Sequence, residues 1–418
     1  MRCSSFSRAR STRLVRDVAV ALLAAGAVTA CAPDGDRLTA PDASSPTLAR
    51  GGTPLSPATL ARGREVFRYD TFGDESYWTD TLRMHEVIAS SVSPRTALTV
   101  GLKVDVDALP PSLRAAIAAG QVNLDDPATT VALLELGAVV GLRGEVDDAK
   151  ALVRVGTTCA LCHSTVDNSF APGIGHRLDG WPNRDLNVGA IVALSPAVTD
   201  AQRAVLLSWG RGKYDPRYNI DGINGPVVLP PAFGLRHVAR ETYTGDGPVS
   251  YWNAYVAITQ MHGHGIFSDP RIGVSVSNPP DLVGPALDAL RAYQLSLQTP
   301  TAVAVDRAAA QRGKHVFMTV GGCASCHYGV ALSDVNAGIL HAPAEVGQDP
   351  QYALRSATRL YRTTPLRGLW HPPQLQGPYF HDGSAATLED VVEHYVTTRG
   401  LVLTAQQRAD LVAFLKTL

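Results

Sequence analysis

Apolar positions along the chain recur mostly at helical spacing. In TAQQRADLVAFLKTL (404–418), Leu411, Phe414 and Leu415 fall on one face, which predicts an amphipathic final helix. LEDVVEHYVTT (388–398) has Ser384 or Thr387 as its cap, with Glu389 and Asp390 near the positive end of the helix dipole. SLRAAIAAG (112–120) closes on a helix-ending glycine, and Asp126-Pro127 opens ATTVALLELGAVV (128–140). No alternating pattern of useful length competes with these segments, so the fold is expected to be mostly α.

Two stretches depart from this pattern near the start. Arg2, Arg8, Arg10, Arg13 and Arg16 precede the apolar run VAVALLAAGAVTA (18–30), which stops at Cys31. A basic start, a short apolar run and small residues before a cut read as an export signal, too short to span a bilayer comfortably. Val28-Thr29-Ala30-Cys31 resembles a lipoprotein box, which would make Cys31 the lipidated N-terminus; an ordinary signal peptide cut nearby is the alternative. Ala32 lacks the aspartate that retains many lipoproteins on an inner membrane, which leans the expected location toward the outer membrane of the cell envelope. Residues 31–55, rich in Pro, Gly, Ser and Asp, read as a flexible tether. A further break, SLQTPTAVAVDRAAAQRG (296–313), sets a boundary near residue 300.

The two sides of that boundary resemble each other. ATLARGREVFRYDTFGDE (58–75) and RAAAQRGKHVFMTVGGCASCH (307–327) share an Ala-rich helical start and Arg-Gly-x-x-Val-Phe. Two cytochrome-like halves are therefore expected, at 56–300 and 301–418, packed together, with a helical or irregular insertion over 76–155 in the first. Composition adds little: 18% charged and 45% hydrophobic residues describe a globular chain. Net charge is −1, becoming about −5 once residues 1–30 are removed, and no basic patch points to nucleic acid.

Cysteine usage carries the chemistry. Cys3 leaves with the signal and Cys31 takes lipid, which leaves the pairs Cys159/Cys162 and Cys323/Cys326. A disulfide within each pair, or zinc, would be the ordinary reading in an exported chain. His163 and His327 follow the pairs directly, however, and Cys-x-x-Cys-His is the pattern that binds haem c through two thioethers and a proximal histidine. Two haem c groups are expected. No methionine follows His327, so the usual electron-carrier sixth ligand is missing there; Met318, just before the pair, is expected to be core packing.

RTTPLRGLW (362–370), GPYFHDGSAATLEDVVEHY (377–395) and LTAQQRADLVAFLKTL (403–418) resemble the bacterial dihaem cytochrome c peroxidases and the related dihaem oxidases that mature a tryptophan-derived quinone cofactor. The likeness covers most of residues 156–418, is closer in the second half, and does not extend to the insertion. It implies two helical cytochrome c-like domains with calcium between them, a peroxide site at the N-terminal haem and a relay at the C-terminal one. The relay's methionine position, counted from His381, holds Tyr395, as in the quinone-maturing oxidases; adjacent His394 is the rival ligand, about 100° away on a helix. His381 itself would support the turn or the haem pocket.

At the first haem, APGIGHRLDGWPNRD (171–185) places His176 where the peroxidases carry a displaceable ligand, and Asn183 at the calcium site. Met261, His262, His264 and His85 are rivals to His176. The acid/base glutamate of the peroxidases aligns with Gln260, which takes no proton, so His262 or His264 would have to substitute. The inter-haem tryptophan position holds Gly245, leaving Trp252 and Trp181 as bridging candidates, and Arg362 and Arg367 are candidates for haem propionates. Three functions stay open: an electron-transfer cytochrome with peroxidase-like chemistry on hydrogen peroxide at the first haem, a pure electron carrier, and a redox sensor or binding module. A small redox protein or a quinone-linked donor would supply electrons.

Overall fold

The repeated Arg-Gly-x-x-Val-Phe segment forms a helix in both places, and each helix packs through its glycine. In the computed structural model, which describes residues 56–418, the first is Pro57–Tyr69 and the second Arg307–Met318. Ser56 caps the first by accepting from Thr59 N at 3.1 Å; Asp306 caps the second by accepting from Ala308 N and Ala309 N. A Cβ on Gly63 would overlap the Ala289 carbonyl of helix Leu287–Ser296, and one on Gly313 would overlap the Asp410 carbonyl of helix Ala405–Leu415. Only glycine permits such close backbone approach. The following Val-Phe is buried both times, at 0% and 0% exposure for Val66 and Phe67 and 4% and 2% for Val316 and Phe317.

Helix Leu388–Arg399 completes the C-terminal group, with Thr387 rather than Ser384 as its cap: Thr387 Oγ1 accepts from Asp390 N at 3.1 Å, and Asp390 accepts from Thr387 N at 2.9 Å. Asp126 caps Pro127–Glu135, as its sequence implies. Between Ser296 and Arg307 no regular element forms. Described residues belong to one compact unit; the export signal, Cys31 and the tether lie outside them. No helix among the described residues is long and apolar enough to cross a membrane.

The molecule is mostly helical, but short strands escaped the reading of the sequence. Five two-stranded pairs form among the described residues. Gly265–Asp269 pairs antiparallel with Val274–Asn278, and Gly265, Phe267 and Asp269 are buried while Ile266 and Ser268 are exposed. Val-Ser-Val-Ser at 274–277 carried that alternation in plain view. A hairpin of Leu142–Val146 with Leu152–Thr157 closes the insertion. The insertion is not an appendage: Leu82, Met84, Ile88, Leu134 and Val155 share one buried cluster with Leu161 of the first cysteine motif and with Ile174, Leu186 and Leu229.

Candidate haem sites

Each Cys-x-x-Cys-His motif opens onto its own cavity. Cys159, Cys162 and His163 line one of about 650 Å³; Cys323, Cys326 and His327 line another of about 300 Å³. Both volumes lie in the range of small-molecule and cofactor sites. The first motif forms the short helix Ala160–His163 and the second a single 3-10 turn, Cys323–Ser325.

The histidines are prepared identically. His163 Nδ1 donates to the Pro230 carbonyl at 3.1 Å, and His327 Nδ1 to the Leu332 carbonyl at 3.1 Å. Committing Nδ1–H to a carbonyl leaves Nε2 unprotonated, which is the state of a ligand nitrogen, and burial holds both imidazoles below their ordinary pKa. The cysteines are not paired with one another. Burial pushes the thiols of Cys159 and Cys162 up to about 12 and that of Cys323 up to about 11, against the thiolate form that zinc requires.

Buried cations point the same way. Arg184, Arg362 and Arg367 line the second cavity, and Arg184 Nε and Nη1, Arg362 Nη1 and Arg367 Nε are buried without hydrogen-bond partners. Burial lowers Arg184 from its usual value and brings Arg362 to about 10. Guanidinium groups left so call for an anion, which a haem propionate in the second cavity would supply. The residues present therefore fit haem c at either motif. Arg184 carried no mark in the sequence, since its role depends on a fold that brings residue 184 to residue 362.

Tyr395 lines the second cavity, and burial pushes its phenol up to about 12. His394 faces elsewhere, with Nε2 donating to the Val346 carbonyl at 2.9 Å, which separates the two rivals. His381 supports the cavity wall, its Nε2 2.9 Å from Tyr361 Oη and its ring stacked on Tyr352. Met318 is 59% exposed at a helix end rather than in the core, so its expected packing role does not hold.

The expectation for His176 is not met in the first cavity. Its side chain is 57% exposed, its Nδ1 lies 3.0 Å from Asp107 Oδ2, and that hydrogen bond raises its pKa. It does not line the cavity, and neither do His85 and His264; Met261 and His262 do. Gln260 also lines it, with both amide ends used: Tyr214 Oη donates to Oε1 at 2.6 Å, and Nε2 donates to Thr259 Oγ1 at 2.8 Å.

Asn183 is buried, its Nδ2 donating to the Gly101 carbonyl at 2.9 Å and its Oδ1 without a partner. One free amide oxygen suits a hard cation, but no carboxylate cluster accompanies it among the described residues, so calcium fits only in part.

Two groups at this site, Tyr243 and Glu241, went unnoticed in the sequence. Tyr243 and Arg362 line both cavities, whereas Trp252 lines the first alone and Trp181 lines neither, packing instead on His371 and Phe233. Glu241 lines the first cavity, its buried Oε1 without a hydrogen bond and 3.9 Å from Arg291 Nη2, and burial outweighs that cation and raises its carboxyl from the usual value.

A cytochrome c family model matches residues 310–418, the segment holding the second motif and Tyr395. Over 125 residues the chain is 32% identical to the methylamine utilization protein MauG of Methylorubrum extorquens, covering 26% of this chain and 34% of that one. Over 185 residues it is 30% identical to the cytochrome-c peroxidase IdrP1 of Denitromonas iodatirespirans, covering 32% of this chain and 49% of that one. In part of its length the chain is thus similar to a cytochrome c domain and to these two proteins. It spans from 34% to 49% of the length of these curated relatives. Among solved structures, Kuenenia stuttgartiensis hydrazine synthase aligns over 46% of this chain and 73% of that one, at 20% identity and a TM-score of 0.32. A MauG-like protein associated with microbial copper homeostasis aligns over 34% and 54%, at 24% identity and a TM-score of 0.25. Neither superposition is close enough to carry a functional argument.

Proposed function

We propose that the chain is an exported, lipid-anchored dihaem c-type cytochrome that transfers electrons and reduces a peroxide, with hydrogen peroxide as the simplest substrate, in its first cavity. Haem c in a cytochrome c domain and electron transfer are the general properties on which this reading builds. The finer parts are two haems, in two cytochrome c-like domains packed together, with Cys31 as the anchor to the outer membrane. A small redox protein or a quinone-linked donor would feed the second haem, and a calcium ion would sit at Asn183.

The observation that carries the reading is the contrast between the cavities. The second, about 300 Å³, has Tyr395 in its wall as an oxygen donor; the first, about 650 Å³, has His262 and Gln260. Bound haem supplies the redox-active iron, and an iron with an open or exchangeable position supports chemistry that a coordinatively full one does not. In the first cavity Gln260 orients by hydrogen bonding and moves no proton, which leaves His262 and Glu241 as the groups able to accept or return one. Burial lowers His262 from its ordinary value and raises the Glu241 carboxyl from its own. Gln260 in place of an acid is also the observation that favours a second reading, a pure electron carrier.

Mature protein assayed with hydrogen peroxide and a reduced donor tests the two. Turnover that falls at least tenfold in Glu241→Gln supports the peroxidase reading, a factor ordinary for loss of one acid/base group. Two low-spin ferric haems that persist on half-reduction, with no turnover, establish the carrier. Tyr395→Phe should change the ferric spectrum of the second haem alone, and an unchanged spectrum removes Tyr395 as its ligand.

A further inference from the structure

In the wall of the first cavity Tyr77 and His262 lie ring on ring, with centroids 3.6 Å apart and planes inclined by 21°. His262 has φ 65°, a conformation unusual for a residue with a Cβ and one that persists where the surroundings over-determine it. Those surroundings are identifiable. Gly263 N donates to the Ala257 carbonyl at 2.8 Å and His264 N to the Phe72 carbonyl at 2.7 Å, which pins the turn after helix Val249–Thr259 to the chain just ahead of Tyr77.

Tyr77 is fixed independently. It sits in Ser76–Thr81, one turn of π-helix at the very start of the insertion. Thr79 Oγ1 accepts from Val155 N at 3.0 Å, and the Asp74 carboxylate accepts from Thr157 N at 3.1 Å, so the insertion's first turn is tied to its last strand. No hydrogen bond to the His262 ring forms among the described residues. An imidazole stacked on one face and unused at both nitrogens is available to a metal.

We propose that Tyr77 positions His262 as the exchangeable distal ligand of the first haem, so that the insertion exists in part to complete that site. This rests on the reading that haem c occupies the first cavity. Tyr77 is a positioning residue: its ring fixes the plane of the imidazole, and removing it leaves a ligand that must be oriented at each binding event.

The test uses the mature holoprotein, with haem content measured first by pyridine haemochrome. A first motif that carries no haem overturns the functional reading, and does so before any variant is compared. Imidazole is then titrated into ferric protein and read in the Soret band, alongside low-temperature EPR. His262→Ala should lose the low-spin signal of the first haem and recover one with added imidazole. Tyr77→Leu should bind imidazole about 2- to 10-fold more tightly than wild type, because the protein's own histidine then competes less well. Tyr77→Phe keeps a flat ring and should stay close to wild type. In the His262→Ala background, Tyr77→Leu should change the affinity no further. Tyr77→Met serves the same comparison if the leucine variant does not accumulate. An unchanged EPR spectrum in His262→Ala overturns the ligand assignment. Equal effects of Tyr77→Phe and Tyr77→Leu, or an effect of Tyr77→Leu that persists without His262, overturns the positioning role.

Discussion

The two cysteine motifs stand on the same frame and are finished differently. Each follows a helix whose glycine meets a second helix, Gly63 against Leu287–Ser296 and Gly313 against Ala405–Leu415. In the second region the motif comes at once, and Val320, Tyr328 and Val330 around it are exposed at 55%, 41% and 69%. In the first region residues 76–155 intervene, and Tyr77, Trp78, Thr81 and Leu82 from that segment join the cavity wall. The first cavity is the larger, about 650 Å³ against about 300 Å³, and has Glu241 and His262 in its wall.

The comparison breaks most readily at its base. Gly313→Val forces the two C-terminal helices apart and should cost about 3 kcal/mol, near the upper end for overpacking; thermal melts and haem content measure it. Gly63→Val should do the same to the first region. If either valine is tolerated without loss of stability, the frames are not equivalent. A smaller effect is expected at the shared wall. Arg362→Leu removes a buried cation that lines both cavities, so both haem potentials should fall, since a positive charge favours the reduced state. A shift confined to one haem would separate the sites.

The smallest effect distinguishes the second region by pH. Burial opposes charge on His341, but hydrogen bonds to Glu345 at 2.8 Å and Asp334 at 2.9 Å outweigh it and raise the pKa. Stability from this group is present in full below the unfolded value of about 6.5 and is lost as pH rises through the raised one. Wild type should therefore lose roughly 1 kcal/mol between mildly acidic and mildly alkaline pH, and His341→Gln should flatten that slope in thermal melts.

Local features were legible in the sequence. Caps at Asp126 and Thr387, the apolar face of the last helix and the repeated Arg-Gly-x-x-Val-Phe depend on neighbours within a few residues, and each has a counterpart in the structure. The resemblance singled out Tyr395, and that residue lines the second cavity. What remained hidden depends on distant parts of the chain meeting. Arg184 gains its meaning from sharing a wall with Arg362, and Tyr77 gains its own from a turn 185 positions later that ends at His262. His176 was misplaced for a related reason: a Gly-His loop suits a mobile ligand, but Asp107, supplied by the insertion, holds this one at the surface. Strand pairing was missed because each strand is too short to show alternation over a usual window.

Tyr243 and Arg362 belong to both cavities, so only a single layer of side chains parts them. With porphyrin on each side, an electron would cross that layer far sooner than either centre could meet a fresh molecule from solution. Any outside reactant would then encounter a couple already at internal equilibrium, and rates measured on it would belong to the couple rather than to one iron.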